Sequence, residues 1–222
     1  MVSIGAQRPY FLPDFYFFYK IYLCDIFIVN DQLLFRKQSP IVRTKLSGDI
    51  PPKYLTIPVK HNKVEPQPRL PDVEVISSKV WKDQHLKTLK SMYRTTPFFE
   101  FYFDKLEEIY SQNYTRLVEI LSEIINWQVK ILFPGKLIKY TSGLGLKNTI
   151  NLQKYLSHFN EPVFLVYPEE RGYYENKFHQ IRKEDIVCKN VCFPDGYHPE
   201  MSLLVLLFLI GPETIFYFKK KV

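Results

Sequence analysis

The apolar positions of the first 45 residues change period twice. Residues 2–7 form a short apolar run that reads as a central strand. Arg8-Pro9-Tyr10-Phe11-Leu12-Pro13 reads as a turn, because two prolines punctuate it. Asp14 then stands where a helix cap is needed, ahead of Phe15, Phe18, Ile21 and Tyr22 at helical spacing. Asp25 ends that helix, and the run Ile26–Val29, closed by Asn30 and Asp31, reads as the next strand, with 33–35 prolonging it past a kink. Parallel strands joined by a helix put their loops at the carboxyl ends, where open α/β sheets collect ligands. The turn 8–13 and the tip at Asp31 are therefore expected side by side, with Lys37 and Arg43 following as cations for an anionic substrate.

From residue 39 to 78 seven prolines rule out long helices. Residues 54–59 and 73–76 are two short strands around a solvated loop, a β-hairpin excursion over 46–80 of the kind that carries substrate contacts. A helical lobe over 81–134 follows. Trp81, His85 and Leu89 share one face, and Leu117, Ile120, Leu121, Ile124, Ile125 and Val129 point inward from a helix that Pro134-Gly135 stops. The last third alternates strands (Leu137–Tyr140, 163–167, 186–191) with helices (148–159, 173–180, 201–210), and 215–218 reads as a final edge strand. The expected architecture is a single α/β domain over 1–222, with a mostly parallel, Rossmann-like sheet flanked by helices.

Composition narrows the function classes. At 222 residues and 46% apolar the chain can bury a sizeable core, and 16 prolines against 8 glycines make stiff loops. The formal charge of +7 suits phosphorylated or other anionic partners, but its 30 basic residues are interspersed with 23 acidic ones, which disfavours a nucleic-acid groove. Cys188 and Cys192 on one strand would stand roughly 13 Å apart, too far to bridge. With no paired-cysteine metal motif and no signal-peptide pattern at residues 1–10, a reduced cytoplasmic setting is expected. The apolar run 201–210 has half the length of a membrane span and reads as a buried helix.

Several residues bring candidate chemistry. Asp31, at a strand's end, either orients a substrate hydroxyl or amine or caps a turn. His85 is either a base toward an attacking amine or hydroxyl, or a helix-face histidine packed beside Trp81. The loop 141–149, between a strand and a helix, is either an anion cradle of backbone N–H groups at the helix start or a glycine-relieved turn. His198 lies before the last helix, and Tyr173 follows another strand's carboxyl end.

These residues fall into a recognisable order. Pro9, Pro13, Lys20, Ile21, Asp25, Asp31, Lys37 and Arg43, then Leu55-Thr56-Ile57-Pro58-Val59, then Trp81, His85, Tyr93, Pro97 and Phe99, resemble the WbqC-like proteins found with surface-polysaccharide genes. The likeness extends loosely to Ser142, Lys147, Thr149, Tyr173 and His198. Three positions depart from that pattern: Arg8 replaces Gln or His, Asp14 replaces Trp, and Val205 replaces an Asp. The opening strand, turn and helix are also similar at fold level to nucleotidyltransferase-like proteins, but residues 4–43 contain no histidine. The resemblance implies transfer of an acyl or aminoacyl group, glycine or a relative, onto a sugar or nucleotide-sugar. His85 or Asp31 would be the base, and Arg8, Arg43 and Lys147 the anion contacts. A non-catalytic basic protein that holds a nucleotide-sugar or nucleic acid is the alternative. No cofactor or oligomeric state is assigned.

Overall fold

Asp14 begins the first helix as expected. Its carboxylate accepts from the Phe17 N–H at 3.0 Å while its own backbone stays extended, which satisfies one of the orphan donors of the helix start. The computed structural model describes residues 4–36, 39–60, 67–146 and 192–219. Within them, β1 (Ile4–Gln7), α1 (Phe15–Leu23) and β2 (Ile26–Val29) follow the expected order, and β1 and β2 pair in parallel with Gln7 opposite Val29. The other edge of β2 takes the strand Leu137–Tyr140, again in parallel, with Val29 opposite Tyr140.

The sequence between them forms β3 (Arg43–Lys45) and β4 (Tyr54–Thr56) as one antiparallel pair, and β5 (Val59–Lys60) and β6 (Glu74–Val75) as another. Leu137–Tyr140 is therefore β7, and the described parallel sheet has the order β1-β2-β7. The first strand thus lies at the edge of the described sheet, with β2 in its centre. Residues 33–35 do not continue β2, and only a single bridge from Leu34 to Arg69 forms there. The strands expected at 163–167 and 186–191 and the helices expected at 148–159 and 173–180 lie outside the described residues. What the described residues establish is an α/β protein with a three-stranded parallel sheet and small antiparallel sheets.

The helical middle consists of α2 (Lys79–Tyr93), α3 (Phe99–Ser111) and α4 (Leu117–Leu132). Leu117, Ile120, Leu121, Ile124 and Ile125 are all fully buried on α4, as their spacing requires. The apolar run ends in α5 (Leu203–Ile210), capped by the Ser202 hydroxyl and buried over most of its length. Among the described residues no helix is long and apolar enough to cross a membrane. Residues 215–218, expected as a strand, are helical instead, in α6 (Thr214–Lys219). Thr214 and Phe218, four apart, are the buried residues of α6, and Phe218 stacks on Phe15 of α1 at 4.7 Å between ring centroids. That contact decides the helix over the β-prone composition.

Between α5 and α6 the chain turns at Gly211, with φ +58°, and a Cβ there would sit 2.5–2.7 Å from the Phe98 ring. Gly135 also has positive φ, +84°, but open space around it. Gly211→Ala is therefore expected to destabilise by about 3 kcal/mol or more, from strain plus overpacking, and Gly135→Ala by about 1 kcal/mol. Urea unfolding of both variants beside the unmodified chain checks the difference.

Candidate functional site

The carboxyl ends of the three parallel strands meet. The Asn30 N–H donates to the Gln7 carbonyl at 2.8 Å, and the Thr141 N–H to the Val29 carbonyl at 3.1 Å. Asp31 ties the loop after β7 to the end of β2. Its carboxylate accepts from the Thr141 hydroxyl at 2.6 Å, from the Ser142 N–H at 2.9 Å and from the Ser142 hydroxyl, while its own N–H donates to Thr141 Oγ1 at 3.1 Å. Asp31 is buried and Ser142 exposed, so this carboxylate sits just beneath the surface. The structure thus brings together Asp31 and Ser142 from the candidate residues, with Arg8 one residue beyond Gln7.

Two side chains that the sequence did not single out complete this place. Gln7, the last residue of β1, and Asn30, the first residue past β2, are buried, and neither Gln7 Nε2 nor Asn30 Nδ2 has a hydrogen-bond partner. The amide of Gln7 is oriented from behind by Lys20, fully buried on α1, whose ammonium donates to Gln7 Oε1 at 2.8 Å. An ammonium only donates, so the oxygen must face Lys20, which leaves the Gln7 amide nitrogen to face away. An unpaired buried donor costs about 1–3 kcal/mol, and two of them at neighbouring strand ends fit an oxygen-bearing ligand. The sequence signal was there: each apolar strand run closes on an amide rather than on another apolar residue.

The turn 8–13 is held on both sides. The Phe11 N–H donates to the Pro40 carbonyl, the Thr44 hydroxyl to the Leu12 carbonyl at 2.9 Å, and the Leu203 N–H to the Pro13 carbonyl. Pro9, Pro13 and Arg8 are all buried. Leu12 has φ +43°, a left-handed conformation that costs a non-glycine residue about 1–3 kcal/mol and persists because these neighbours fix it.

His85 lies behind this turn. Its ring is 5.8 Å from that of Phe11, 5.1 Å from Trp81 and 6.0 Å from Tyr110. A carbonyl can only accept, so Nε2–H donates to Thr56 O at 3.1 Å and Nδ1 accepts from the Tyr110 hydroxyl at 3.3 Å. Both ring nitrogens are therefore paired, and burial pulls the imidazole pKa down to about 4, against the opposing bond to Thr56. Trp81 is buried beside it and donates to the Ile76 carbonyl. Tyr93, at the other end of α2, donates to the Leu46 carbonyl at 2.5 Å, and burial pushes its phenol up to about 12. Trp81, His85 and Tyr93 thus bind α2 to the β excursion, while Asp31 and Ser142 gather elsewhere.

Arg43 is exposed, with its guanidinium 3.7 Å over the Tyr54 ring. Along β3 its side chain points opposite to that of Thr44, which faces the turn, so Arg43 is not directed at Asp31. His198 is exposed in the loop that carries Pro199, whose carbonyl accepts from the Phe15 N–H at the start of α1. Lys37, Lys147, Thr149 and Tyr173 lie outside the described residues. No group of three or more metal-ligating side chains occurs among the described residues. Cys24 is buried, and that burial pushes its thiol up to about 12, well away from a reactive thiolate.

The depressed pKa of His85 sets a pH dependence. The folded state holds the neutral ring, so its contribution is complete above the unfolded value near 6.5 and is lost as pH falls toward about 4. Unfolding free energy should drop by about 3 kcal/mol across that window, and His85→Gln should flatten the profile there. Urea midpoints between pH 7 and pH 4 measure both.

No curated protein and no solved structure matches the chain. The model of the WbqC-like protein family matches residues 8–217 of the 222-residue chain, a span that takes in the turn, the ends of β2 and β7 and helices α1 to α5, and the chain belongs to that family.

Proposed function

We propose that this protein transfers an acyl or aminoacyl group, glycine or a relative, onto a sugar or nucleotide-sugar in surface-polysaccharide biosynthesis. The carboxyl ends of β1, β2 and β7 are its binding crevice. The observation that carries this reading is the buried, unpartnered amide donor Asn30 Nδ2, whose Oδ1 lies 3.3 Å from the Thr141 hydroxyl that the Asp31 carboxylate also takes, with a second such donor, Gln7 Nε2, at the end of the neighbouring strand β1. Acyl transfer places negative charge on the carbonyl oxygen in its transition state, and fixed N–H donors stabilise that charge without reorganising.

In this reading the acceptor amine or hydroxyl attacks the acyl carbonyl and gives its proton to Asp31. The bond to the donor's leaving group then breaks, and the leaving group takes up a proton. Arg8, just past the end of β1, with Lys37 six positions after Asp31 and Lys147 five after Ser142, supplies charge for a phosphate of the donor or acceptor. Ser142 and Thr141 hold the carboxylate in place, and His198 and Tyr173 belong to the rim. His85, with both nitrogens paired, supports Phe11 and so the turn, rather than handling the acceptor's proton.

The formal charge of +7 also suits a non-catalytic protein that binds nucleotide-sugars or nucleic acid. Thermal unfolding with acetyl-coenzyme A, a panel of nucleotide-sugars and a short RNA separates the two. At 100-fold Kd a ligand of the folded state raises stability by about 2.7 kcal/mol, a rise of about 5–11 °C for a chain of this size. We expect that rise with an acyl donor or nucleotide-sugar, and its loss in Asn30→Ala and Asp31→Asn. Stabilisation by RNA alone, falling steeply with salt, would establish the binding protein instead.

A further inference from the structure

A cavity of about 520 Å³ opens where the end of β6, the first turns of α2 and the last turn of α3 meet. None of its lining residues belongs to the strand-end crevice. Its volume lies in the range of small-molecule sites.

The charges around it cancel. Lys79 and Lys82 line it together with Asp83 and Glu107, two charges of each sign, in a chain whose overall charge is +7. Lys82 is also held internally, since its ammonium donates to the Gln112 carbonyl at 2.5 Å and lies about 6 Å above the rings of Trp81 and Tyr114 (6.0 and 5.9 Å). The lining therefore carries no net charge that would favour an anion.

What the cavity does offer is aromatic surface from Tyr114 and the edge of Trp81, with uncharged donors and acceptors from Ser77 and Asn113 and acceptors from the two carboxylates. That combination matches a ring with an apolar C–H face and a girdle of hydroxyls. Stacking gathers the face, and carboxylate and amide groups pair the hydroxyls.

We infer that this cavity binds a neutral saccharide, its ring lying on Tyr114 beside Trp81 and its hydroxyls bonded to Asp83, Glu107 and Asn113. This inference does not rest on the transferase reading, because it uses other side chains and its test reads binding alone. His85, in ring contact with both Trp81 and Phe11, sits between this cavity and the turn at the strand ends.

The chain has two tryptophans, and Trp127 lies on α4 outside the cavity lining. Trp127→Phe therefore leaves Trp81 as the sole reporter. Its emission should change saturably with neutral mono- and disaccharides. Calorimetry on the unmodified chain should give matching heats whether or not the fluorescence responds. Tyr114→Ala and Asn113→Ala, each checked for folding by circular dichroism, should weaken that affinity at least tenfold, and glucuronate and glucose 6-phosphate should bind more weakly than glucose. Absence of both saturable emission change and heat with every neutral sugar would overturn the inference. So would unchanged affinity in both variants, or preference for the acidic sugars.

Discussion

The carboxylate of Asp31 is the contact on which the strand-end arrangement depends. It receives the Thr141 hydroxyl and both the N–H and hydroxyl of Ser142, and so fastens the loop after β7 to the end of β2. A carboxylate this close to the surface gains from three donors whose positions the sheet already fixes, because β2 and β7 are paired residue by residue up to Val29 and Tyr140. The pairing of β1 with β2 puts Gln7 and Asn30 at the same end of the sheet. Lys20 completes the set by holding the Gln7 amide from α1. Removing Asp31 would leave the Thr141 and Ser142 donors unsatisfied and free the loop.

Much of the fold was legible because apolar period and capping agreed. The Asp14 cap, α1, β2 and β7 lie where the pattern puts them, and so does the inward face of α4. Local composition misled where a distant partner decides. Ile215, Phe216, Tyr217 and Phe218 are strand formers by composition, but Phe218 packs against Phe15, about 200 positions earlier in the chain, and the segment is helical. Likewise, which strand is central depends on the pairing of β7, which no local signal carries.

The meeting of the strand ends was legible, and the side chains around it were less so. The expectation that the turn 8–13 and the end of β2 lie together follows from parallel pairing, and the bond from the Asn30 N–H to the Gln7 carbonyl, at the start of that turn, agrees with it. Arg43, expected at the strand ends, is turned outward instead, because strand parity is set by the partner. Thr44 turns inward to Leu12, which sends Arg43 outward onto Tyr54. His85 had two readings, and the choice between them depended on Thr56 and Tyr110, 29 and 25 positions away, which take both its nitrogens. Gln7 and Asn30 were missed because an amide carries no charge and no motif, and its significance appears only when its burial and its missing partner are seen together.

The most direct test of the central claim, that the amides of Gln7 and Asn30 face a ligand at the strand ends, is a ¹H–¹⁵N spectrum of the side-chain amides during titration with acetyl-coenzyme A and with a nucleotide-sugar. The account predicts that the Gln7 and Asn30 NH₂ resonances move together with the Ser142 backbone amide and saturate at one ligand concentration. Saturating binding that leaves both side-chain resonances in place while shifting amides elsewhere would contradict it.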